Sequence, residues 1–178
     1  MEVCSSAGSR SKLTLANAAG ALANLALDAA ARAAIVECGA LSPLVQLCAR
    51  SRDGAVLGNA AQALVNLSRL DSARPLIVRE GGVAPLVELC RSAQDKRVLG
   101  NAAGALATLA LDGPSREAIV KAGAAAPLLA LCGRSTDNRV LRFASGAVAN
   151  LALHAPSRVA IAQQGEGAVR PLVQVLTD

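Results

Sequence analysis

Asparagine side chains recur at fixed places in a stretch that the sequence repeats. The clearest copy runs from Asn59 to Leu67 and reads NAAQALVNL, with a further amide at Gln62. A side-chain amide offers both a donor and an acceptor, so it can bond the N–H and the C=O of an extended backbone. These residue types favour recognition of a polypeptide main chain.

Four copies of the stretch begin at residues 17, 59, 101 and 143, so the period is 42 residues. Positions three and seven residues into a copy share one helix face with its first position. The residues on that face are Asn17, Gly20 and Asn24; Asn59, Gln62 and Asn66; Asn101, Gly104 and Thr108; and Phe143, Gly146 and Asn150. Polar or very small residues recurring in an apolar helix indicate a face kept away from the core. The long period predicts a helical solenoid.

The composition agrees with an all-α chain. Hydrophobic residues make up 53% of the 178 residues, but aromatic residues make up only 1%. The core must therefore consist of Ala, Leu, Val and Ile, which favours closely packed helices. Ala and Leu are strong helix formers, and the β-branched residues are too scattered to indicate strands.

Each period contains signals for two short helices and one longer helix. A short first helix, such as 72–80, carries a recurring Arg and Ile three residues apart, as in Arg74 and Ile77. A glycine closes it, and a proline four residues later opens the second helix. The glycines are Gly39, Gly81, Gly123 and either Gly165 or Gly167; the prolines are Pro43, Pro85, Pro127 and Pro171. Asp53, Asp95 and Asp137 are predicted N-caps of the third helices.

The period, the helix order and the x-Ala-Ala-x-Ala-Leu-x-Asn-Leu third helix together resemble armadillo repeats. HEAT repeats lack this three-helix pattern. The resemblance covers nearly the whole chain and implies a right-handed superhelix. We expect a partial repeat at 11–27, complete repeats at 29–69, 71–111 and 114–153, and a partial repeat at 156–177. Two extra residues around 163–166 predict a bulge in the last unit.

In armadillo proteins the third helices line a concave groove, and their late asparagine bonds the backbone of a bound peptide. On that resemblance Asn24, Asn66 and Asn150 are candidate backbone ligands, with Thr108 a weakened position. The predicted groove comprises Asn17, Asn24, Asn59, Gln62, Asn66, Asn101, Thr108 and Asn150. The residues leave an alternative open, in which these amides bond neighbouring backbone and join adjacent repeats.

The sequence departs from one branch of the family. Armadillo import receptors carry Trp four residues before the late Asn, whereas this chain has Gly20, Gln62, Gly104 and Gly146 there. Without an indole there is no cation–π surface for Lys or Arg, so recognition of basic import signals is not expected. The glycine-type stretch is similar to armadillo arrays that act as scaffolds and adaptors. Arg97 and Arg139 either flank the groove or are exposed solubilising residues.

The cysteines indicate packing and not chemistry. Cys48, Cys90 and Cys132 occupy one position of the repeat, which is Leu176 in the last unit, so the site is apolar core. The cysteine spacing fits no zinc site, and His154 is the single histidine. No phosphate-binding loop is present. We expect no catalytic residues, no metal and no cofactor, and therefore no enzyme.

The formal net charge of +5 comes from Arg residues spread along the chain, a pattern most typical of a solvated surface. It leaves a preference for acidic partners open. Nucleic acid is not an expected partner, because aromatic platforms for stacking are missing. No apolar run is long enough to span a bilayer. We expect a cytoplasmic or nuclear protein whose uncapped ends allow end-to-end self-association or belong to a longer array.

The sequence therefore predicts a module that binds a protein or an extended peptide along the groove, as an adaptor or scaffold. Two alternatives stay open. The chain is the substrate-recognition region of a larger protein of the ubiquitin-ligase type, or it is a structural spacer with no ligand in the groove.

Overall fold

Twelve helices account for most of the described part of the computed structural model, which comprises residues 3–163 and 166–177. For residues 3–10, 160, 166 and 168 only the backbone is described. The helices are α1 Val3–Leu25, α2 Ala29–Glu37, α3 Leu41–Arg50, α4 Gly54–Leu67, α5 Ala73–Arg79, α6 Val83–Ser92, α7 Lys96–Leu109, α8 Gly113–Lys121, α9 Ala125–Arg134, α10 Asn138–Ala152, α11 Ala155–Ala162 and α12 Glu166–Thr177. The described residues contain no strand, and the predicted all-α solenoid is confirmed.

The helices fall into three layers. The first helices (α2, α5, α8 and α11) have seven to nine residues, and the second helices (α3, α6, α9 and α12) have ten to twelve. The third helices α4, α7 and α10 have 14 or 15 residues. The helix α1 belongs to this third layer and begins at Val3, upstream of the predicted residue 11.

Successive third helices make the most extensive interhelix contacts in the protein, α1 with α4, α4 with α7, and α7 with α10. Their contact faces consist of small residues that are fully buried, such as Ala60, Ala61, Ala102 and Ala103. Because alanine carries only a methyl group, helix axes can approach closely at such faces.

Glycine closes the first helix of three repeats, as the sequence predicts. Gly39, Gly81 and Gly123 have φ values of 75°, 77° and 71°, a left-handed conformation that side chains disfavour. The N–H of Gly82 then bonds the carbonyl of Ile77 at 2.9 Å, inside the helix that has just ended. The chain leaves this turn directly into the second helix.

The last unit differs from this pattern. Gly165 lies outside the described residues, and so do the two middle residues of the bulge predicted at 163–166. Gly167 lies inside α12 instead of between two helices. Pro171 is therefore within α12 and not in its first turn. A proline this near the start of a helix removes only one intrahelical hydrogen bond, from its own missing N–H to the carbonyl of Gly167. The helix can consequently extend one turn upstream.

Aspartate caps each of the third helices α4, α7 and α10, as predicted. The Asp53 carboxylate accepts the backbone N–H groups of Ala55 and Val56 at 2.9 and 3.1 Å. Asp95 and Asp137 each accept hydrogen bonds from the two backbone N–H groups at the equivalent positions of α7 and α10. These carboxylates satisfy N–H groups that have no partner within the helix.

A recurring arginine closes the other end of the third helix. Arg74 Nε donates to the carbonyl of Ser68 at 2.9 Å, and Arg116 Nε donates to that of Ala110 at 2.8 Å. Arg32 and Arg158 make the equivalent bonds through Nη1. The positive charge also stabilises the negative end of the helix dipole. The arginines that the sequence analysis placed beside isoleucine therefore connect each first helix to the preceding third helix.

The cysteines at the repeated position lie in the core, as predicted. Cys48, Cys90 and Cys132 have exposed fractions of 5%, 0% and 3%. Burial raises the pKa of Cys48 and of Cys90 to about 12. Leu176, which has the matching position in the last unit, is 85% exposed because no later helix of the described chain packs on α12.

Within the described ranges, no single helix combines the length and hydropathy needed to cross a membrane. The pair α2 and α3, bent by 82°, meets those two requirements only when both helices are counted together.

The buried thiols predict a selective pattern of alkylation. Iodoacetamide at pH 8 should modify Cys38, which is exposed, and should leave Cys48 and Cys90 unmodified, because the thiolate is the reactive form. Peptide mass spectrometry reads the sites. Unfolding in urea should make all three thiols reactive, and modification of Cys90 at the rate of Cys38 in the native protein would contradict the packing.

The cap of α8 predicts a pH-dependent stability. The Ser115 hydroxyl and the Ser115 backbone N–H, at 2.6 and 2.9 Å, lower the pKa of the Asp112 carboxyl below its usual value of 3.8. Since the pKa is lower in the folded state, the charged carboxylate stabilises the fold above a pH of about 4, and this contribution disappears as the pH falls through the folded pKa. Asp112→Asn keeps an acceptor oxygen but cannot titrate. Urea unfolding should show that this variant is less stable than the wild type at pH 7, with a smaller difference at pH 3. An equal difference in the free energy of unfolding at pH 7 and pH 3 would contradict a role for the charged Asp112 carboxylate.

Candidate binding surface

The predicted groove residues form a row along the third helices, and we call these eight side chains the amide row. They are Asn17, Asn24, Asn59, Gln62, Asn66, Asn101, Thr108 and Asn150. The helices α1, α4, α7 and α10 present them one after another, since these helices stack in that order. The residues differ in exposure: Asn17 and Asn24 are exposed, Asn66 and Asn101 are buried, and the other four are partly buried.

Four asparagines of the amide row donate a hydrogen bond to the preceding third helix. In each pair the acceptor is a backbone carbonyl 43 residues earlier in the chain. The Nδ2 atoms of Asn59, Asn66, Asn101 and Asn150 lie 2.6, 2.8, 2.7 and 2.8 Å from the carbonyl oxygens of Ala16, Ala23, Gly58 and Ala107. A carbonyl oxygen has two lone pairs, so it can accept this bond in addition to its own intrahelical bond. These amides therefore join adjacent repeats.

The joining role accounts for the two buried amides. Asn66 and Asn101 have exposed fractions of 3% and 0%, so a groove ligand has little access to them. Thr108 donates to the carbonyl of Gly104 in its own helix at 2.9 Å and makes no bond between repeats. Asn24 is the late asparagine that lies open to solvent, and Asn150 is partly open. Contact of these two side chains with a peptide stays a prediction.

Arginines from the next repeat lie over the amide row. Arg97 Nη1 donates to Asn59 Oδ1 at 2.7 Å. Arg139 Nη2 donates to Asn101 Oδ1 at 2.6 Å and to Gln62 Oε1 at 2.7 Å, so it spans two repeats. The sequence left open whether these arginines flank the groove or only solubilise the surface. The contacts place both guanidinium groups on the amide row, although the side chains are exposed.

Gly58 provides the space in which the Arg97 guanidinium lies, and this glycine was not among the predicted site residues. A Cβ atom on Gly58 would be 2.7 Å from Arg97 Nη2, which is closer than real contacts allow. A Cβ atom on Gly100 would be 3.6 Å from Arg139 Cγ, an ordinary contact. The signal was present in the sequence, because Leu-Gly-Asn-Ala-Ala occurs at 57–61 and again at 99–103.

Phe143 replaces the early asparagine in the fourth copy and changes the row at that point. Its ring lies against Gly104, where an added Cβ would be 3.4 Å from the ring carbons. The guanidinium carbons of Arg139 and Arg142 are 5.7 and 4.7 Å from the ring centroid, within the range of cation–π attraction. The only aromatic residue of the chain thus lies beside the amide row and holds two cations near it.

The bonds between repeats predict an asymmetry between equivalent asparagines. Asn101→Ala removes the bond to Gly58 and the acceptor of Arg139, so unfolding in urea should show a loss of about 1–2 kcal/mol. Asn17→Ala changes the matching residue of α1, which is exposed, and should cost less than about 0.5 kcal/mol. Equal losses in the two variants would show that the cost comes from the alanine and not from the bond.

Comparison with known proteins agrees with this architecture. The model of the armadillo/beta-catenin-like repeat matches residues 28–69 and 71–111. No curated protein matched the chain.

Several solved structures match almost the whole chain. An engineered protein from the Northeast Structural Genomics Consortium is 38% identical, with a TM-score of 0.84, over 92% of this chain and 66% of its own. A designed armadillo repeat protein in complex with the peptide (KR)4 is 27% identical, with a TM-score of 0.81, over 91% and 67%. Computationally designed armadillo repeat proteins for modular peptide recognition are 29% identical, with a TM-score of 0.82, over 91% and 68%. The chain thus spans about two thirds of the length of these proteins. Together with the three-layered helical stack, these matches show that the chain belongs to the armadillo repeat family.

Proposed function

We propose that this chain binds an extended peptide, or an extended segment of another protein, along the amide row, and that it acts as an adaptor or scaffold. The observation that carries the proposal is a row of polar side chains on four successive third helices, with accessible amides at Asn24, Gln62 and Asn150. Such a surface matches the polar main chain of a strand, since every residue of a strand has an N–H or C=O to pair.

The spacing of the helices supports an extended ligand. Packed helices lie roughly 8–10 Å apart, and less on the inner side of a curved stack. Alternate residues of an extended strand are about 6.6–6.8 Å apart, so two residues of ligand can match one repeat. The side-chain amide of Asn24 has no hydrogen-bond partner within residues 3–163 and 166–177, which leaves both its donor and its acceptor for a ligand backbone.

The structural neighbours support a peptide as the class of ligand. One of them was solved with the peptide (KR)4, and others were designed for modular peptide recognition. Their likeness to this chain extends over about nine tenths of its length. The adaptor or scaffold role is our inference from a binding surface for which we expect no catalytic groups.

A structural spacer is a second candidate, and one observation favours it. The asparagines at 59, 66, 101 and 150 already donate to neighbouring repeats, so the array uses them without any ligand. Asn24 is different because it makes no such bond. A substrate-recognition role within a larger ubiquitin-ligase-type protein, end-to-end self-association and a cytoplasmic or nuclear location stay predictions.

Peptide binding can be tested with two accessible amides. The wild type is screened by fluorescence anisotropy against labelled octapeptides of acidic, basic and neutral sequence, including (KR)4. The best binder is then measured with Asn24→Ala/Gln62→Ala. This variant should lose about tenfold in affinity, because each lost hydrogen bond contributes about 0.5–1.5 kcal/mol.

The control variant is Gln46→Ala/Gln174→Ala, which removes two exposed amides from the second helices α3 and α12. It should keep the wild-type affinity, and circular dichroism should show equal helicity for all three proteins. Absence of binding to every octapeptide would overturn the proposal in favour of the spacer. Equal affinity in the two double variants would mean that the ligand lies on another face.

A further inference from the structure

We infer that the amide row selects a peptide segment with acidic side chains, and that Arg97 and Arg139 bind its carboxylates. The inference rests on the proposed function and specifies its ligand. It follows from where the two guanidinium groups lie, what they contact and which charges are near them.

Both arginines are held in place by neutral acceptors. Arg97 donates to the Asn59 amide oxygen, and Arg139 donates to the amide oxygens of Gln62 and Asn101. A guanidinium group has five N–H donors in a planar fork, and each of these bonds comes from a single terminal nitrogen. Arg97 donates only from Nη1, so its Nε and Nη2 hydrogens remain for a carboxylate, which such a pair can bind through two parallel bonds. Arg139 uses Nη2 for both of its bonds, so its Nη1 and Nε remain, and each can donate a single bond to a carboxylate.

No carboxylate of the described residues forms an ion pair with Arg97 or Arg139. The side-chain ion pairs within residues 3–163 and 166–177 are Arg74–Asp71, Arg91–Glu88 and Lys121–Glu117, and none includes Arg97 or Arg139. The nearest aspartates in sequence, Asp95 and Asp137, accept backbone N–H groups at the starts of α7 and α10. The amide row itself contains only neutral side chains. The two guanidinium charges on this surface therefore lack a directly paired carboxylate among the described residues.

Immobilisation of the arginines favours binding. Each guanidinium group is bonded to the row, and the Arg97 guanidinium also lies against Gly58. An arginine that is already ordered loses less side-chain entropy when a ligand arrives than a free surface arginine does. The exposed side of each group keeps its access to solvent and to ligand.

The positions of the arginines set the pattern of the ligand. Arg97 and Arg139 are the second residues of α7 and α10, so they recur at the spacing of adjacent third helices. That spacing is about 8–10 Å, and alternate side chains on one face of a strand are about 6.6–6.8 Å apart. We expect acidic residues at alternate positions of an extended segment. A basic peptide such as (KR)4 would place like charges against these arginines.

The test compares three labelled decapeptides that differ only in charge: alternating Glu/Ala, Gln/Ala and Lys/Ala. Anisotropy should show that the wild type binds the Glu/Ala peptide about tenfold more tightly than the Gln/Ala peptide, and the Lys/Ala peptide least, since a hydrogen bond to a charged group contributes about 1.5–3 kcal/mol. Arg97→Gln/Arg139→Gln should remove the preference for Glu/Ala and keep the binding of Gln/Ala.

A matched variant separates local contacts from net charge. Arg50→Gln/Arg79→Gln removes the same charge from the ends of α3 and α5, two helices that carry no residue of the amide row. It should bind the Glu/Ala peptide within about twofold of the wild type, because exposed charges farther apart than the Debye length of about 8–10 Å are screened in physiological salt. An equal loss in both double variants would overturn the inference.

A pair of glycine substitutions tests the position of Arg97 without changing any charge. Gly58→Ala puts a methyl group where the Arg97 guanidinium lies, so that group must move, and the affinity for Glu/Ala should fall. Gly100→Ala adds the same methyl group at ordinary contact distance from Arg139 and should leave the affinity unchanged. Alanine has a higher helix propensity than glycine, so neither variant should unfold, and a change in affinity can be assigned to the moved guanidinium. Equal affinities in these two variants would contradict the assigned position of Arg97.

The outcomes distinguish this inference from the proposed function. Tight binding of Gln/Ala with no gain for Glu/Ala would refute acidic selectivity and keep the groove. No binding of any decapeptide or octapeptide would refute the groove itself. Equal affinity for single-stranded poly(U) RNA of matched charge would show general anion attraction and would also refute the inference. We favour a peptide because Phe143, which lies beside the amide row, is the one aromatic residue of the chain on which a base could stack.

Discussion

The third helices lie close enough for an asparagine on one helix to bond a backbone carbonyl on the helix before it. Alanine and glycine at the contact make this approach possible, as at Ala60, Ala102 and Gly20. A larger residue at Gly20 would meet the Asn59 amide, because a Cβ there would be 3.0 Å from Nδ2. The close approach of the third helices thus requires small residues such as alanine at these contacts and leaves no room there for most aromatic side chains.

The same amides connect the stability of the array to the properties of its surface. In Asn59 and Asn101 the Nδ2 group donates a hydrogen bond to a backbone carbonyl of the preceding repeat. The Oδ1 atom of the same side chain accepts a hydrogen bond from an arginine of the following repeat. One side chain therefore holds three successive repeats and positions a positive charge. Binding residues that are fixed by the packing of their own scaffold need little reordering when a ligand arrives.

The chain departs from tryptophan-bearing armadillo proteins in the side chains that its third helices present. Glycine or glutamine replaces the indole that would hold a basic side chain, and Arg97 and Arg139 supply cations to the same surface. Both changes alter the charge of this surface in one direction, since an aromatic face that attracts cations is missing and two cations are present. The armadillo scaffold is unchanged, which illustrates that a fold sets the geometry of a groove while individual side chains set its selectivity.

The sequence by itself determined the features that depend on neighbours within one repeat. The helical layers, the glycines at 39, 81 and 123, the caps at Asp53, Asp95 and Asp137, and the burial of the repeated cysteines all follow from local spacing. The sequence could not assign partners to the amides, because the acceptors lie 43 residues away and Arg139 reaches Gln62 over 77 residues. Of the two glycines predicted for the last unit, Gly165 or Gly167, Gly167 lies inside α12, a result that local spacing did not indicate. Only the tertiary structure decided which asparagines join repeats and which face solvent, since that depends on how closely successive helices pack.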